Sequence, residues 1–558
     1  MVYNTERVSP TLFDESGEGL EYFSLDNAYY KHNLKQMQKG KELMSNFLKF
    51  LTGKRSSRFH QTSNNYNLQK KNMEDDVLDS DLSQNTENLQ LLFSQAPDLV
   101  IRRFPIAAST TEAALVYLPG LTDKDAIQNY VLKPLMHSSF DPNKELPITI
   151  GKIEMVYTWG QIENAILGGD SVLLLNGQIT GYQLDTKGWP QRQLNNPQNE
   201  ISLKGANQGF VETGSQNIAL IRRYIPHQEL ILKEMTVGIR GKTKVSLLYL
   251  SDVASEDVLR ELETRIQNIT VDAIINTGEL IEFIEDNPYS PFPQIMLTER
   301  PDTAASQILQ GRFVIIMDRS PSVLVAPTNF MSFFQAVDDY GSRWLVSSFI
   351  RVMRFFAFMI ALFLPATYVA FISYNFEVIP MELMLTIAES RIQVPLPPVM
   401  EAVIMEMTLE LMREAALRLP TPIGQTIGIV GGIIIGQAAV QVGIVSNIMI
   451  IVVAVTAIAS YNIPNYDMSS SIRLLRFPMM LAAAMFGIVG IVIGWMTIVG
   501  HLTSLESLGT PYGTPLAPFR FADMKDAFLR FPLWVMKSRP KGTGAIPTIR
   551  QGRNRTKR

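Results

Sequence analysis

Apolar residues follow two regimes along the chain. From about residue 89 to 340 they form short runs between polar stretches, and from about 355 to 500 they form long runs almost free of charge. In the first regime Ala114-Leu115-Val116-Tyr117-Leu118 has the length of a strand. A helical pattern over Asp123–Met136 follows, then Ser171–Leu175 running into the turn pair Asn176-Gly177. The same order returns with Val245–Leu250, a helical pattern over Ser255–Asn268, and Phe313–Met317 running into Asp318-Arg319. Apolar runs bounded by turn residues predict strands and hairpins, and strands alternating with helices predict mixed α/β layers. The recurrence predicts two related α/β subdomains, 89–225 and 226–340.

The second regime predicts an α-helical membrane domain over 341–503. No charge lies between Arg354 and Glu377, from Pro422 to Pro464, or from Phe477 to Gly500. A bilayer core takes about 20 apolar residues per helix. The stretches therefore predict four spans, about 355–376, 422–442, 445–463 and 477–500, with Pro365 tolerated inside the first. Pro395-Leu396-Pro397-Pro398 breaks the chain and favours a re-entrant turn over a fifth span.

Residues 399–418 then form a helix with Glu406, Glu410 and Glu414 stacked at four-residue intervals beside Arg413. Two readings stay open. The helix lies amphipathically at the interface with its acids solvated, or copies around an axis make carboxylate rings that favour cations. Gly424, Gly428, Gly432 and Gly436 predict a smooth ridge for close helix packing. Gln437 and Gln441 fall on a separate stripe, which must meet protein or an aqueous path. Glu406, Glu410, Glu414, Gln425, Gln437 and Gln441 are thus the candidate pore-lining residues.

Composition sharpens this picture. The chain has 558 residues, 46% hydrophobic and only 18% charged, with net charge −3. A globally basic nucleic-acid binder is disfavoured. There is no cysteine, and the histidines at 32, 60, 137, 227 and 501 are scattered, so no thiolate or His-cluster metal site is expected. GIVGGIIIG at 428–436 lacks the Lys-Ser/Thr of a phosphate loop, and no nucleophile motif occurs. No catalytic, cofactor or metal residues are expected, and the protein is not expected to be an enzyme. Residues 1–88 read as a variable, disordered extension without a secretory signal, apart from an amphipathic pattern at Leu34–Leu51. Arg102-Arg103 and Arg222-Arg223 read as solvated strand ends. The 504–558 tail carries Lys537, Arg539, Lys541, Arg550, Arg553, Arg555, Lys557 and Arg558 and no acid beyond Lys537. That places both termini on the cytoplasmic side of four spans, with Arg473 and Arg476 in an outer loop.

Several strings carry a resemblance: SPFPQ (290–294), TERPD (298–302), VPLPPVMEA (394–402), REAALRLPTPIGQTIGIVGG (413–432), IGQAAVQVGIVS (435–446) and GTPYGTPLAP (509–518). Together, from about 83 to 540, the chain resembles the A subunits of the GerA family of spore germination proteins. From the residues alone, the first two strings read as a proline-fixed loop with an Arg–carboxylate tie. Pro293, Thr298, Glu299, Arg300, Pro301 and Asp302 mark this family-motif loop. The resemblance implies a membrane subunit of a nutrient germinant receptor in the spore inner membrane. It implies transporter-like B and lipoprotein C partner subunits, and pentameric assembly into a channel releasing monovalent cations. The alternative is an accessory germination paralogue, or a membrane-anchored scaffold without conductance.

Overall fold

The structure, a computed structural model, describes residues 76–93, 96–106, 111–137, 146–188, 200, 204–420, 432, 436–546 and 549–551. All belong to the compact unit Glu74–Arg558. The amphipathic pattern at 34–51 lies outside the described residues.

Two five-stranded antiparallel sheets open the unit. The first repeat runs α1 (Leu82–Leu92), β1 (Val100–Pro105), β2 (Glu112–Tyr117) and a helical stretch α2 built from Lys124–Ala126, the π-helical Ile127–Leu132 and Lys133–His137. It ends with β3 (Ile153–Val156), α3 (Trp159–Leu167), β4 (Ser171–Leu175) and β5 (Gly181–Leu184). The second runs α4 (Gly214–Tyr224), β6 (Leu230–Val237), β7 (Thr243–Leu250), α5 (Glu256–Gln267), α6 (Thr277–Ile284), β8 (Met296–Thr298), α7 (Pro301–Ile308), β9 (Phe313–Met317) and β10 (Val323–Ala326). Strand order is β1-β2-β4-β5-β3 in one sheet and β6-β7-β9-β10-β8 in the other, the same path taken twice.

The repeat extends to single hydrogen bonds. Asn85 closes a ring onto the backbone of Asp79, and Asn217 does the same onto Val211. Asn176 accepts from the first amide of α1 as Asp318 accepts from that of α4. Gly177 and Arg319, one residue on, donate to Ser80 and Glu212. Both adopt the left-handed conformation, with φ of 85° and 70°. The turn after the fourth strand thus docks on the loop before the first helix in both copies, although only one copy uses glycine there.

The central strands are apolar on both faces because each face has its own core. Leu115 pairs with Leu173 and Leu247 with Ile315 across the ladders. Alternate residues point oppositely, so Ala114, Val116, Val172 and Leu174 pack with α1 and α3 while Ala113, Leu115, Leu173 and Leu175 pack with α2. In the second sheet Leu247, Phe313, Ile315 and Leu324 face α5 and α6. Leu248, Val314, Ile316 and Val325 face α4 and α7.

Three expected boundaries move. Val77 bridges to Thr158, and Leu78 and Leu82 are buried, so the extension ends before residue 88. Helix α4 packs on the second sheet and so belongs with the second repeat, not the first. Arg222 is no solvated strand end either: it is buried in α4 and bonds Asp98 at 2.8 Å. Nor does the core stop at 340, because the second sheet's inner core continues into the helical region.

That region comprises α8 (Trp344–Ser373), α9 (Met381–Arg391), α10 (Pro398–Arg418), a helical piece at 436–441, α11 (Asn447–Tyr461), α12 (Tyr466–Phe486) and α13 (Ile488–Ser504). Helix α8 runs unbroken through Pro365 and packs on α10, α11, α12 and α13. Among the described residues it is long and apolar enough to cross a membrane; α11 and α13 are apolar but shorter. Where one span was expected at 477–500, the chain breaks at Gly487 (φ +61°). A Cβ at Gly490 would come within 2.0 Å of the Ala482 carbonyl, so α13 leaves the end of α12 in contact with it. Helix α11, with 15 residues, reaches only about 22 Å. Most of the expected span 422–442 lies outside the described residues. The tail returns to the second repeat through the hairpin β11 (Glu506–Ser507) and β12 (Thr510–Pro511), and Ile546 donates to the Val253 carbonyl.

Candidate functional site

The family-motif loop is the joint between the two regions. Pro291 and Pro293 remove two donors and stiffen the backbone, and the remaining groups are almost all tied down. Gln294, wholly buried, exchanges hydrogen bonds with the Asn287 backbone, and its carbonyl accepts from Thr328 at 2.6 Å and Ser507 at 2.7 Å. Tyr512 donates to the Pro293 carbonyl at 2.8 Å, and Ser290 meets His501 of α13 at 2.9 Å. Phe292 packs edge-on to Phe330, which does the same to Phe358 in α8. Strand end, last helix and tail thus meet at one loop.

The second motif string caps α7. Arg300 binds Asp302 through Nε and Nη2 at 3.0 and 2.6 Å, while Nη1 reaches the Glu200 carbonyl and Nη2 also reaches that of Ala206. Pro301 takes the first helical position, where no amide donor is needed. Thr298 and the Glu299 amide donate to the Glu200 carboxylate, whose burial raises its pKa.

Glu285 sits beside this loop, accepting from the Gln294 amide at 3.2 Å. Burial pushes its carboxyl up to about 7 from 4.5, helped by the nearby charge of Asp467. A folded pKa above the unfolded one means the folded form holds the proton longer, so stability falls as pH rises from about 4.5 to 7. Glu285→Gln is expected to flatten that decline and leave the chain more stable above pH 7. Thermal unfolding of both proteins from pH 4 to 8, about the range set by linkage, checks it; parallel curves would refute it.

Three charged clusters tie the helices. At the start of α8, Asp339 accepts from Arg351 at 2.9 Å and Arg354 at 2.8 Å, while Arg351 also holds Asp526 of the tail at 2.6 Å. Deeper in, Glu401 accepts from Arg391 at 3.1 Å and from Ser446 at 3.0 Å, with Tyr368 bridging. Further along α10, Glu406 pairs with Arg476, which also donates to the Ala361 carbonyl at 2.9 Å.

These contacts correct the candidate pore residues. Glu406 is fully buried and neutralised inside the protomer, so it does not face a shared aqueous path. Glu410 lies between Arg413 and Arg473 at 3.5 and 3.4 Å. Arg473 and Arg476 are on α12, not in an outer loop, which explains how α10 keeps acids among apolar helices. Helix α10 therefore packs one face on α8, α11 and α12, burying Glu401, Ala402, Met405 and Glu406, while Met400, Ile404, Met407 and Leu411 on the other face stay exposed. Glu414 is exposed and paired with Arg418 at 2.6 Å; Gln437 and Gln441 are exposed. Gly432 and Gly436 would meet only side-chain atoms, Met412 and Ile450, each at 3.9 Å, so these two make no close backbone contact among the described residues. Gly424, Gln425 and Gly428 lie outside the described residues. Glu401, Arg391, Tyr368 and Asp339 were not singled out from sequence. A buried acid in an apolar helix requires a partner, and that was the available signal.

The chain is thus an α/β double repeat joined through one core to an apolar helical bundle. The family model described as Bacillus/Clostridium GerA spore germination protein matches residues 87–542, and the chain belongs to this family. It is 40% identical over 473 residues to the uncharacterized membrane protein YfkQ of Bacillus subtilis (strain 168), covering 84% of this chain and 92% of that protein. It is 37% identical over 481 residues to spore germination protein B1 of the same organism, covering 85% and 99%. Spore germination protein GerLA of Bacillus cereus is 39% identical over 451 residues, covering 80% and 92%. Among solved structures, the N-terminal domain of the A subunit of the Bacillus megaterium spore germinant receptor GerK3 is similar at 31% identity and TM-score 0.37, covering 46% of this chain and 98% of that one.

Proposed function

We propose that the chain is the membrane subunit of a nutrient germinant receptor in the spore inner membrane, with both termini on the core side. Copies assemble, as pentamers, with a transporter-like B subunit and a lipoprotein C subunit, into a germinant-gated channel for monovalent cations. The role is one of signalling and transport, without catalysis. The observation that carries the reading is the shared core. Phe330 and Phe334 of the α/β side stack against Phe358 of α8, the helix long enough to span a bilayer, and Phe292 packs on Phe330 behind them. A displacement of the second sheet would bear directly on that helix, because packed interiors transmit strain. Family membership supports the germination role.

Since Glu406 and Glu410 are matched by arginines, the conducting surface is assigned to the exposed amides Gln437 and Gln441. In spores carrying the complete receptor, Gln437→Leu with Gln441→Leu should slow germinant-triggered potassium release by about tenfold, the scale of losing one or two polar contacts. Receptor abundance in the membrane should be unchanged. Release at the normal rate would move conduction to another surface or another subunit.

A further inference from the structure

Between α10, α11 and the first half of α12 lies a cavity of about 950 Å³. Leu409, Met412, Val453 and Ala457 give it apolar walls, while Arg413, Arg473, Tyr461 and Tyr466 gather at one end. The Arg413 guanidinium lies 4.8 Å from the Tyr461 ring centre, and that of Arg473 lies 5.7 Å from Tyr466.

Charge at this end does not balance. Glu410 is shared by both arginines, through the same oxygen, at 3.5 and 3.4 Å. Glu406 is already taken by Arg476. Arg473 places its terminal nitrogens on Ser469 and Ser470. The Arg413 side chain is only 9% exposed, yet its Nε and one terminal nitrogen have no acceptor among the described residues. The sequence from Pro422 to Pro464 contains no acid, so that stretch brings no counter-charge. A buried guanidinium with free donors is strongly disfavoured unless an anion completes it. Its planar donors suit paired oxygens such as those of a phosphate.

We propose that this cavity binds an anionic phospholipid of the surrounding bilayer. Its phosphate rests on Arg413 and its acyl chain lies along Leu409, Met412, Val453 and Ala457. The proposal rests on the membrane placement given above. A free phosphate would fill a small part of the volume and leave apolar walls facing water. The tyrosines end α11 and open α12, the end of a helix pair where a headgroup level is marked by aromatic rings. Basic pockets between spans commonly hold acidic headgroups.

The test uses the full chain in mild detergent, with phosphatidylglycerol or phosphatidylcholine of identical acyl chains. Lipid retention is read by native mass spectrometry, alongside thermal unfolding. Phosphatidylglycerol should be retained about tenfold more strongly, the equivalent of one charge-assisted hydrogen bond, and should raise Tm. Arg413→Gln should abolish the preference. Ala457→Phe, which fills the cavity and keeps both arginines, should abolish it too, and decides the matter if Arg413→Gln does not fold. Arg418→Gln, at an exposed cation on the same helix, should keep it. Equal retention of the two lipids would overturn the proposal. So would a preference untouched by Ala457→Phe, or equal stabilisation by inorganic phosphate, which would mean a small-anion site. Flotation with vesicles of either lipid reads membrane placement separately. A chain that does not float removes the membrane reading itself, whereas one that floats without preference removes only the lipid site.

Discussion

Replacing Glu406 with leucine is expected to destabilise the protein by about 3–5 kcal/mol, the cost of stranding a buried partner charge. Glu406 is fully buried, and it faces Arg476, whose own side chain is 1% exposed. After the substitution the acceptor left to Arg476 among the described residues is the Ala361 carbonyl at 2.9 Å. The decisive comparison is the double variant Glu406→Leu, Arg476→Met. Removing both charges leaves neither uncompensated, so most of the lost stability should return. Thermal unfolding in detergent measures both. A double variant no more stable than Glu406→Leu would show that the pair does more than neutralise itself. A single variant as stable as the parent would show that water reaches Arg476.

The second large effect is expected at Asp339. Among the described residues, Asp339→Ala leaves Arg354 without its carboxylate and Arg351 with Asp526 as its one remaining carboxylate. The loss should again be about 3–5 kcal/mol, since the Asp339 side chain is 2% exposed and serves two cations. The damage should be directional. Arg351 also donates to the Asp526 carbonyl, Tyr340 donates to the Asp526 carboxylate at 2.7 Å, and Ser348 donates to the Arg530 carbonyl at 3.0 Å. Weakening this cluster should free the tail from the start of α8. Limited proteolysis should therefore cut within 515–545 sooner than in the parent, while the first repeat stays protected. Unchanged cleavage there would mean that the β11–β12 hairpin and Tyr512 hold the tail without the cluster.

Both clusters serve one physical need. A charged residue among apolar helices is stable only when it finds an opposite charge or several backbone acceptors. Here partners lie far apart in sequence, with Glu406 and Arg476 on α10 and α12 and Arg351 of α8 bonded to Asp526 of the tail. The same clusters that stabilise the bundle therefore also fix which helices are neighbours and where the tail returns.

The sequence by itself determined the elements whose signal is local. Ser171–Leu175 and Phe313–Met317 read as buried strands, and Ser255 and Asn268 bracket α5 as its caps. The repeat was visible because two copies present the same order of strands and helices, and the motif strings carried the family. The long apolar run before Glu377 showed α8, because a helix of that length needs only its own residues to be recognised. What depends on contacts between distant residues came only from the tertiary structure. The stacked acids of 399–418 suggested a polar face, and only packing against α12 revealed that Arg473 and Arg476 take up Glu410 and Glu406 while Glu414 stays exposed. The 477–500 run showed no break, since Gly487 costs nothing in hydropathy and acts through its backbone conformation. The boundary at 340 looked like a change of composition, yet phenylalanines on both sides of it pack into one core. Composition records where apolar side chains occur along the chain, whereas the pairing of buried charges and the continuity of a core depend on which surfaces meet in space.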